Sequence, residues 1–149
     1  MISEKLMEDL KQAMKANDKT KVSVIRMLRS ELKNAQIAAG KELDETAEER
    51  VLISYAKKRK EAVETYREGG RDDLADKEQL EHDITISYLP PRLGEDELRA
   101  VIEKHIEASG ALSMKEFGAV MKAVMADVGS KADGSQVSAL LKSILSAKN

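Results

Sequence analysis

The chain contains two prolines, and they are neighbours: Pro90 and Pro91, inside Leu89-Pro90-Pro91-Arg92-Leu93-Gly94. Neither has a backbone N–H to give, and each pushes the residue before it out of the α region, so no helix crosses them. Because the residues on both sides carry helical patterns, the pair splits the chain. We expect one body over 1–88, a linker over 89–94 and a second body over 95–149.

In the first body Ser3 is an N-cap type, and Leu6, Leu10, Ala13 and Met14 form an apolar stripe that predicts a helix to about Ala16. Asn17-Asp18 interrupts it, and Asp18 or Thr20 can cap a second helix through Ile25, Leu28, Leu32 and Ala35, ending near Gly40. Thr46 with Glu49 has the pattern of a capping box, opening a long helix through Leu52, Tyr55, Ala56, Val63 and Tyr66 to Gly69-Gly70. A fourth helix starts near Asp73, with Leu80, Ile84 and Tyr88 at four-residue steps. The run from Ile84 to Tyr88 also alternates like a strand, but no second such run exists to pair with it.

Beyond the prolines, Leu98, Val101, Ile102, His105 and Ile106 share a face up to Gly110. Ser113 and Glu116 form a box before Phe117, Val120, Met121, Val124 and Val128, with Gly129 as the stop. Asp133 and Gln136 form another before Val137, Leu140, Leu141, Ile144 and Leu145. The prediction is an all-α protein of two helical bundles, about four helices and then three. Composition agrees: 35% of residues are charged and 3% aromatic, so helix formers abound and strand formers are thin.

What is missing narrows the function. Without cysteine there are no disulfides, thiol nucleophiles or thiolate metal sites. The two histidines, His82 and His105, fall in different bodies without a second His or Cys at metal-ligand spacing. His105 lies on the apolar stripe of its helix and reads as a packed boundary residue. No carboxylate pair is singled out as acid and base. The expectation is no catalytic residues, no metal and no cofactor, so that function lies in binding. The start, Met1-Ile2-Ser3-Glu4-Lys5, has no apolar h-region, and no run approaches about 18 apolar residues; together these predict a cytoplasmic protein that does not enter a membrane.

Charge supplies the binding candidates. The net charge is −2, yet residues 11–33 hold seven basic residues against Asp18 and Glu31. Among them Arg26, Arg29 and Lys33 are spaced to share one helical face. Residues 111–149 carry five lysines against three acids. The run Lys57-Lys58-Arg59-Lys60 sits inside a helix, points several ways and reads as a solvated face. Gly129-Ser130-Lys131-Ala132-Asp133-Gly134 fails as a phosphate loop, since Ser135-Gln136 stand where Lys then Ser or Thr are needed. The favoured reading is a C-cap followed by an N-cap in a tight turn between helices; the weaker one is that two glycines, a lysine and a helix N-terminus hold one anionic group. Gly118, inside a helix, costs about 1 kcal/mol relative to Ala. Close approach by a neighbouring helix is the favoured reason, ahead of backbone access for a partner.

Leu89-Pro90, the Gly110-Ala111 corner, Glu116-Phe117-Gly118-Ala119-Val120-Met121 and the stretch from Gly129 to Gly134 resemble the YqeY-like family, over essentially the whole chain. That family shares its architecture with the tail region of GatB, a subunit of the tRNA-dependent amidotransferase. The resemblance implies two helical bundles and a non-catalytic accessory module that binds tRNA or another structured RNA. The amidotransferase's catalytic machinery lies elsewhere in GatB and in its partner subunit, and nothing in this chain resembles it. The residues expected to meet RNA are Lys115, Lys122, Gly129, Ser130, Lys131, Gly134 and Lys142, with Arg26, Arg29 and Lys33 as a second basic patch. The family's motif often has Lys where this chain has Ala119 and Met where it has Phe117, so no lysine contact is carried over at 119; Gly129 and Lys131 match. The alternative is an adaptor docking on a tRNA synthetase or amidotransferase, with Met114, Met121 and Met125 as an adaptable apolar surface.

Overall fold

The computed structural model describes residues 1–148, among which there are helices, turns and no strand. Contacts gather the chain into two compact units, Met1–Leu89 and the residues from Pro90 on. The first unit holds α1 (Ile2–Lys15), α2 (Lys19–Ala39), α3 (Glu45–Glu68) and α4 (Asp72–Ile86). The second holds α5 (Glu95–Ser109), α6 (Phe117–Val128) and α7 (Gly134–Ala147), with single 3₁₀ turns at Met114–Glu116 and Gly129–Lys131.

Local chemistry sets most of the boundaries. The Asp18 carboxylate accepts the Lys21 N–H at 3.1 Å and caps α2, and Gly40, with φ +70°, ends it. Two starts differ from expectation. α3 is capped by Asp44, whose carboxylate accepts the Ala47 N–H at 2.8 Å, so Thr46 lies inside the first turn. α1 begins one residue before Ser3, because the Ser3 N–H donates to the carboxylate of Glu48 on α3, 3.2 Å away and 45 residues on. Glu48 is buried, and one of its two oxygens has no hydrogen-bond partner.

The core of the first unit joins Leu6 and Leu10 of α1, Val24, Ile25 and Leu28 of α2, and Leu52 and Tyr55 of α3. Tyr88, two residues past α4, closes it: its hydroxyl donates to Asp9, and the Lys5 ammonium lies 5.6 Å over its ring. Two expected core residues are outside. Met14 is 52% exposed because Ala13 takes the inward position, and Leu80 is 47% exposed because α4 turns Ala75 and Thr85 inward. The α3–α4 pairing is held by those small side chains and by Arg59, which reaches Glu78 at 3.2 Å and Glu81 at 3.8 Å. Arg59, expected in a solvated basic face, is thus half-buried, whereas Lys57, Lys58 and Lys60 are exposed.

In the second unit Leu98, Ile102 and Ile106 of α5 meet Val120, Val124 and Val128 of α6 and Val137, Leu141 and Leu145 of α7. Each such side chain, fully buried, contributes roughly 1.5–3 kcal/mol. Gly110 (φ +71°) ends α5, and both capping boxes, Ser113 with Glu116 and Asp133 with Gln136, are present. The Leu93 N–H donates to the Lys131 carbonyl at 2.8 Å, tying the segment after the prolines to the α6–α7 turn.

Candidate binding surfaces

Four lysines of the second unit stand at its surface. Lys115, Lys122, Lys131 and Lys142 are all exposed, and none makes an ion pair among the described residues. Three acids near them are engaged within the unit. Asp133 pairs with Arg92, Asp127 accepts from His105 at 2.8 Å and lies 3.9 Å from Lys104, and Glu116 binds the Ser113 hydroxyl at 2.9 Å. The bond from His105, aided by Lys104, holds the Asp127 carboxyl below its ordinary range. The Ser113 bond does the same for Glu116.

Lys115, Gly118, Ala119 and Lys122 are spaced by three, four and seven, so they share one face of α6 and the turn leading into it, and all four are exposed. A Cβ at Gly118 would meet no atom within 4 Å. No neighbouring helix therefore needs this glycine, which overturns the favoured explanation for it. What remains is a flat strip of backbone and one methyl group between two ammonium groups.

The α6–α7 turn joins the C-cap of one helix to the N-cap of the next. Gly129 (φ +56°) turns the chain, Ser130 is buried, Lys131 points to solvent and Gly134 opens α7. The α7 N-terminus, which the sequence leaves as a possible seat for one anionic group, already carries the Asp133 carboxylate of its capping box. A second anion there would meet like charge.

In the first unit Arg26, Arg29 and Lys33 line one groove of about 860 Å³ between α1 and α2, with Met7 and Leu32 beside them. A second groove of about 480 Å³ shares Arg26 and adds Lys19, Met14 and Met27. The adaptable methionines are these, and not the expected set: Met121 and Met125 pack against the core of the second unit, and only Met114 is exposed. Met7 and Met14 stand seven residues apart, outside the Leu6–Leu10–Ala13 stripe, and that spacing was the available signal. Among the described residues no group of three or more His, Cys, Asp or Glu is placed to hold a metal ion, and no helix is long and apolar enough to cross a membrane.

Comparison with known proteins gives a family and no activity. The family described as Yqey-like protein matches residues 3–145. Three similar curated proteins all bear the name "Altered inheritance of mitochondria protein 41, mitochondrial". That of Eremothecium gossypii is 39% identical over 85 residues, 56% of this chain and 46% of that protein. That of Pyrenophora tritici-repentis is 28% identical over 147 residues, 97% of this chain and 81% of that protein. That of Vanderwaltozyma polyspora is 33% identical over 118 residues, 74% and 64% of the two chains. The chain thus matches less than half the length of the first of these. The relatives are mitochondrial by name, which overturns the expectation of a cytoplasmic protein. A missing apolar h-region speaks only to secretion, whereas mitochondrial presequences are amphipathic and Arg-rich.

Proposed function

Starting from the premise that this chain belongs to the YqeY-like family, matched over residues 3–145, we propose that it is a non-catalytic binding module whose second unit holds the phosphate backbone of tRNA or another structured RNA. The observation that carries this is the α6 face: an exposed glycine with no intramolecular reason, between Lys115 and Lys122. A flat strip lets a sugar-phosphate backbone come close, and ammonium groups at its two ends neutralise phosphates without reading bases. Lys131 and Lys142 are exposed on the same unit and add to its field. The face has no aromatic side chain for base stacking, which favours folded RNA recognised by shape over single strands. A tRNA ligand is also what kinship with the GatB tail would give.

The test is fluorescence anisotropy with folded tRNA across a salt series, with an unstructured RNA as control. Lys115→Glu with Lys122→Glu is expected to lower tRNA affinity by about tenfold or more, and to flatten the slope of log K against log salt by about 2. Gly118→Ala separates function from folding. It should raise stability by roughly 0.5–1 kcal/mol, because α6 gains helix propensity and the methyl group meets nothing, while weakening tRNA binding. Unchanged affinity in both variants would remove the α6 face from the reading.

A second reading, an adaptor that docks on a tRNA synthetase or amidotransferase, draws support from the exposed methionines of α1 and α2. Pull-down after RNase treatment distinguishes the two: partners that survive favour the adaptor.

A further inference from the structure

The first unit carries a surface that RNA binding by the second does not use. Along the seam of α1 and α2 the two grooves share Arg26 as a common wall. Met7 opens into the first groove and Met14 and Met27 into the second, 41%, 52% and 48% exposed. Arg26, Arg29 and Lys33 line the first and Lys19 the second, and none of the four makes an ion pair among the described residues. Glu4 is the single carboxylate among the lining residues of either groove.

We infer that this seam is the docking groove for an acidic amphipathic helix of a partner protein, its apolar face on Met7, Met14 and Met27 and its flanking carboxylates on Arg26, Arg29, Lys33 and Lys19. The inference rests on the adaptor reading and is independent of the RNA reading, which uses other residues.

The chemistry of the seam selects the occupant. Thioether side chains are flexible and polarisable, and they mould to aliphatic and aromatic anchors of many shapes. They offer no ring on which a base could stack, so an RNA strand would gain little from this floor. Met7 and Met14 lie two turns apart, roughly 10 Å along the axis, the spacing of anchors at i and i+7 on a docked helix. The uncompensated cations require acidic flanks. A second copy of this chain could offer two acidic helices, α4 and α5; the apolar stripe of α5 (Leu98, Ile102 and Ile106) is already buried in its own core, and every carboxylate of α4 is already engaged. Arg67 holds Asp72 and Asp76, Arg71 holds Asp73, Arg59 holds Glu78 and Glu81, and Gln79 donates to Asp83.

The test uses the full chain and a fluorescein-labelled synthetic helix of about five turns, with leucines along one face and glutamates on both flanks. One control has the same residues scrambled so that the leucines share no face; a second has lysine flanks. Only the first peptide is expected to bind, and Arg26→Glu with Arg29→Glu should weaken it by about tenfold or more. Should that variant lose its helical circular dichroism, Lys19→Glu with Lys33→Glu, both at exposed positions, carries the same expectation. In ¹³C-methyl methionine spectra the signals of Met7, Met14 and Met27 should shift, and those of Met121 and Met125 should stay. Equal binding of the scrambled peptide, or unmoved signals of the three seam methionines, overturns the inference. Displacement of the peptide by folded tRNA assigns the seam to RNA, and self-association abolished by Arg26→Glu with Arg29→Glu assigns it to a second copy; either also overturns it. Failure of Lys115→Glu with Lys122→Glu to affect tRNA would sink the RNA reading alone.

Discussion

Arg59→Ala is expected to cost the first unit about 2–4 kcal/mol at neutral pH, a large fraction of the stability of a small domain. Arg59 is set between Glu78 and Glu81, with its guanidinium carbon 4.9 Å from the centre of the Tyr55 ring. The three charged side chains are only 27%, 15% and 17% exposed. Two carboxylates share one guanidinium, and Arg59 Nε has no hydrogen-bond partner, so the intact group returns little beyond its desolvation cost. Removing the cation is another matter, since it leaves two like charges facing each other in a half-buried seam.

The same group has a pH signature. Burial, and then the neighbouring charge of Glu78, push the Glu81 carboxyl above its ordinary value. Folding therefore favours protonated Glu81, and its contribution is full below the unfolded glutamate range and lost as pH rises through the higher folded value. Urea midpoints should accordingly show Arg59→Ala doing less damage at pH values near and below the glutamate range than at neutrality. Replacing Arg59, Glu78 and Glu81 together with apolar residues of similar volume should come near to wild type. A loss below about 1 kcal/mol that is the same at both pH values would show that the cluster is solvated and inert.

In the second unit the largest effect is expected from Ile102→Ala, at about 3–5 kcal/mol. Ile102 is fully buried, and Val120, Val124, Val137 and Leu141 belong to the same cluster, so the deleted methyl and methylene groups leave a void that rigid valines cannot refill. Leu112→Ala is the matched control: Leu112 is 72% exposed, and its loss should stay within about 0.5 kcal/mol. Hydrogen-exchange protection of α5, α6 and α7 reads both. Equal effects from the two variants would mean that Ile102 is not the centre of this core.

What could be read from sequence was what neighbouring residues settle among themselves. Gly40 and Gly110 end their helices because a left-handed residue is cheapest without a Cβ, and the boxes at Ser113 and Asp133 close within four residues. Failures came where a distant group decided. Ser3 looked like a cap until Glu48 supplied one from α3, and Leu80 belonged to a sound periodic stripe until α4 packed through Ala75 and Thr85. The lysines near α6 were visible as charge, but the reason for Gly118 was not, since only packing tells whether a neighbour lies against it. The α1–α2 seam was half legible: Arg26, Arg29 and Lys33 stood out by spacing, whereas Met7, Met14 and Met27 needed the groove to bring them together.

The bond from Ser3 to Glu48 bears on how the chain is born. α1 leaves the ribosome before α3, and the carboxylate that holds its opening turn is made 45 residues later. Until α3 has emerged and swung back, the start of α1 has no side-chain cap of its own, since Met1 supplies none. A short helix in that state is marginal in water. α1 is thus synthesised before α3 but fixed only with it, and its methionine-lined face waits in the nascent chain for that later helix.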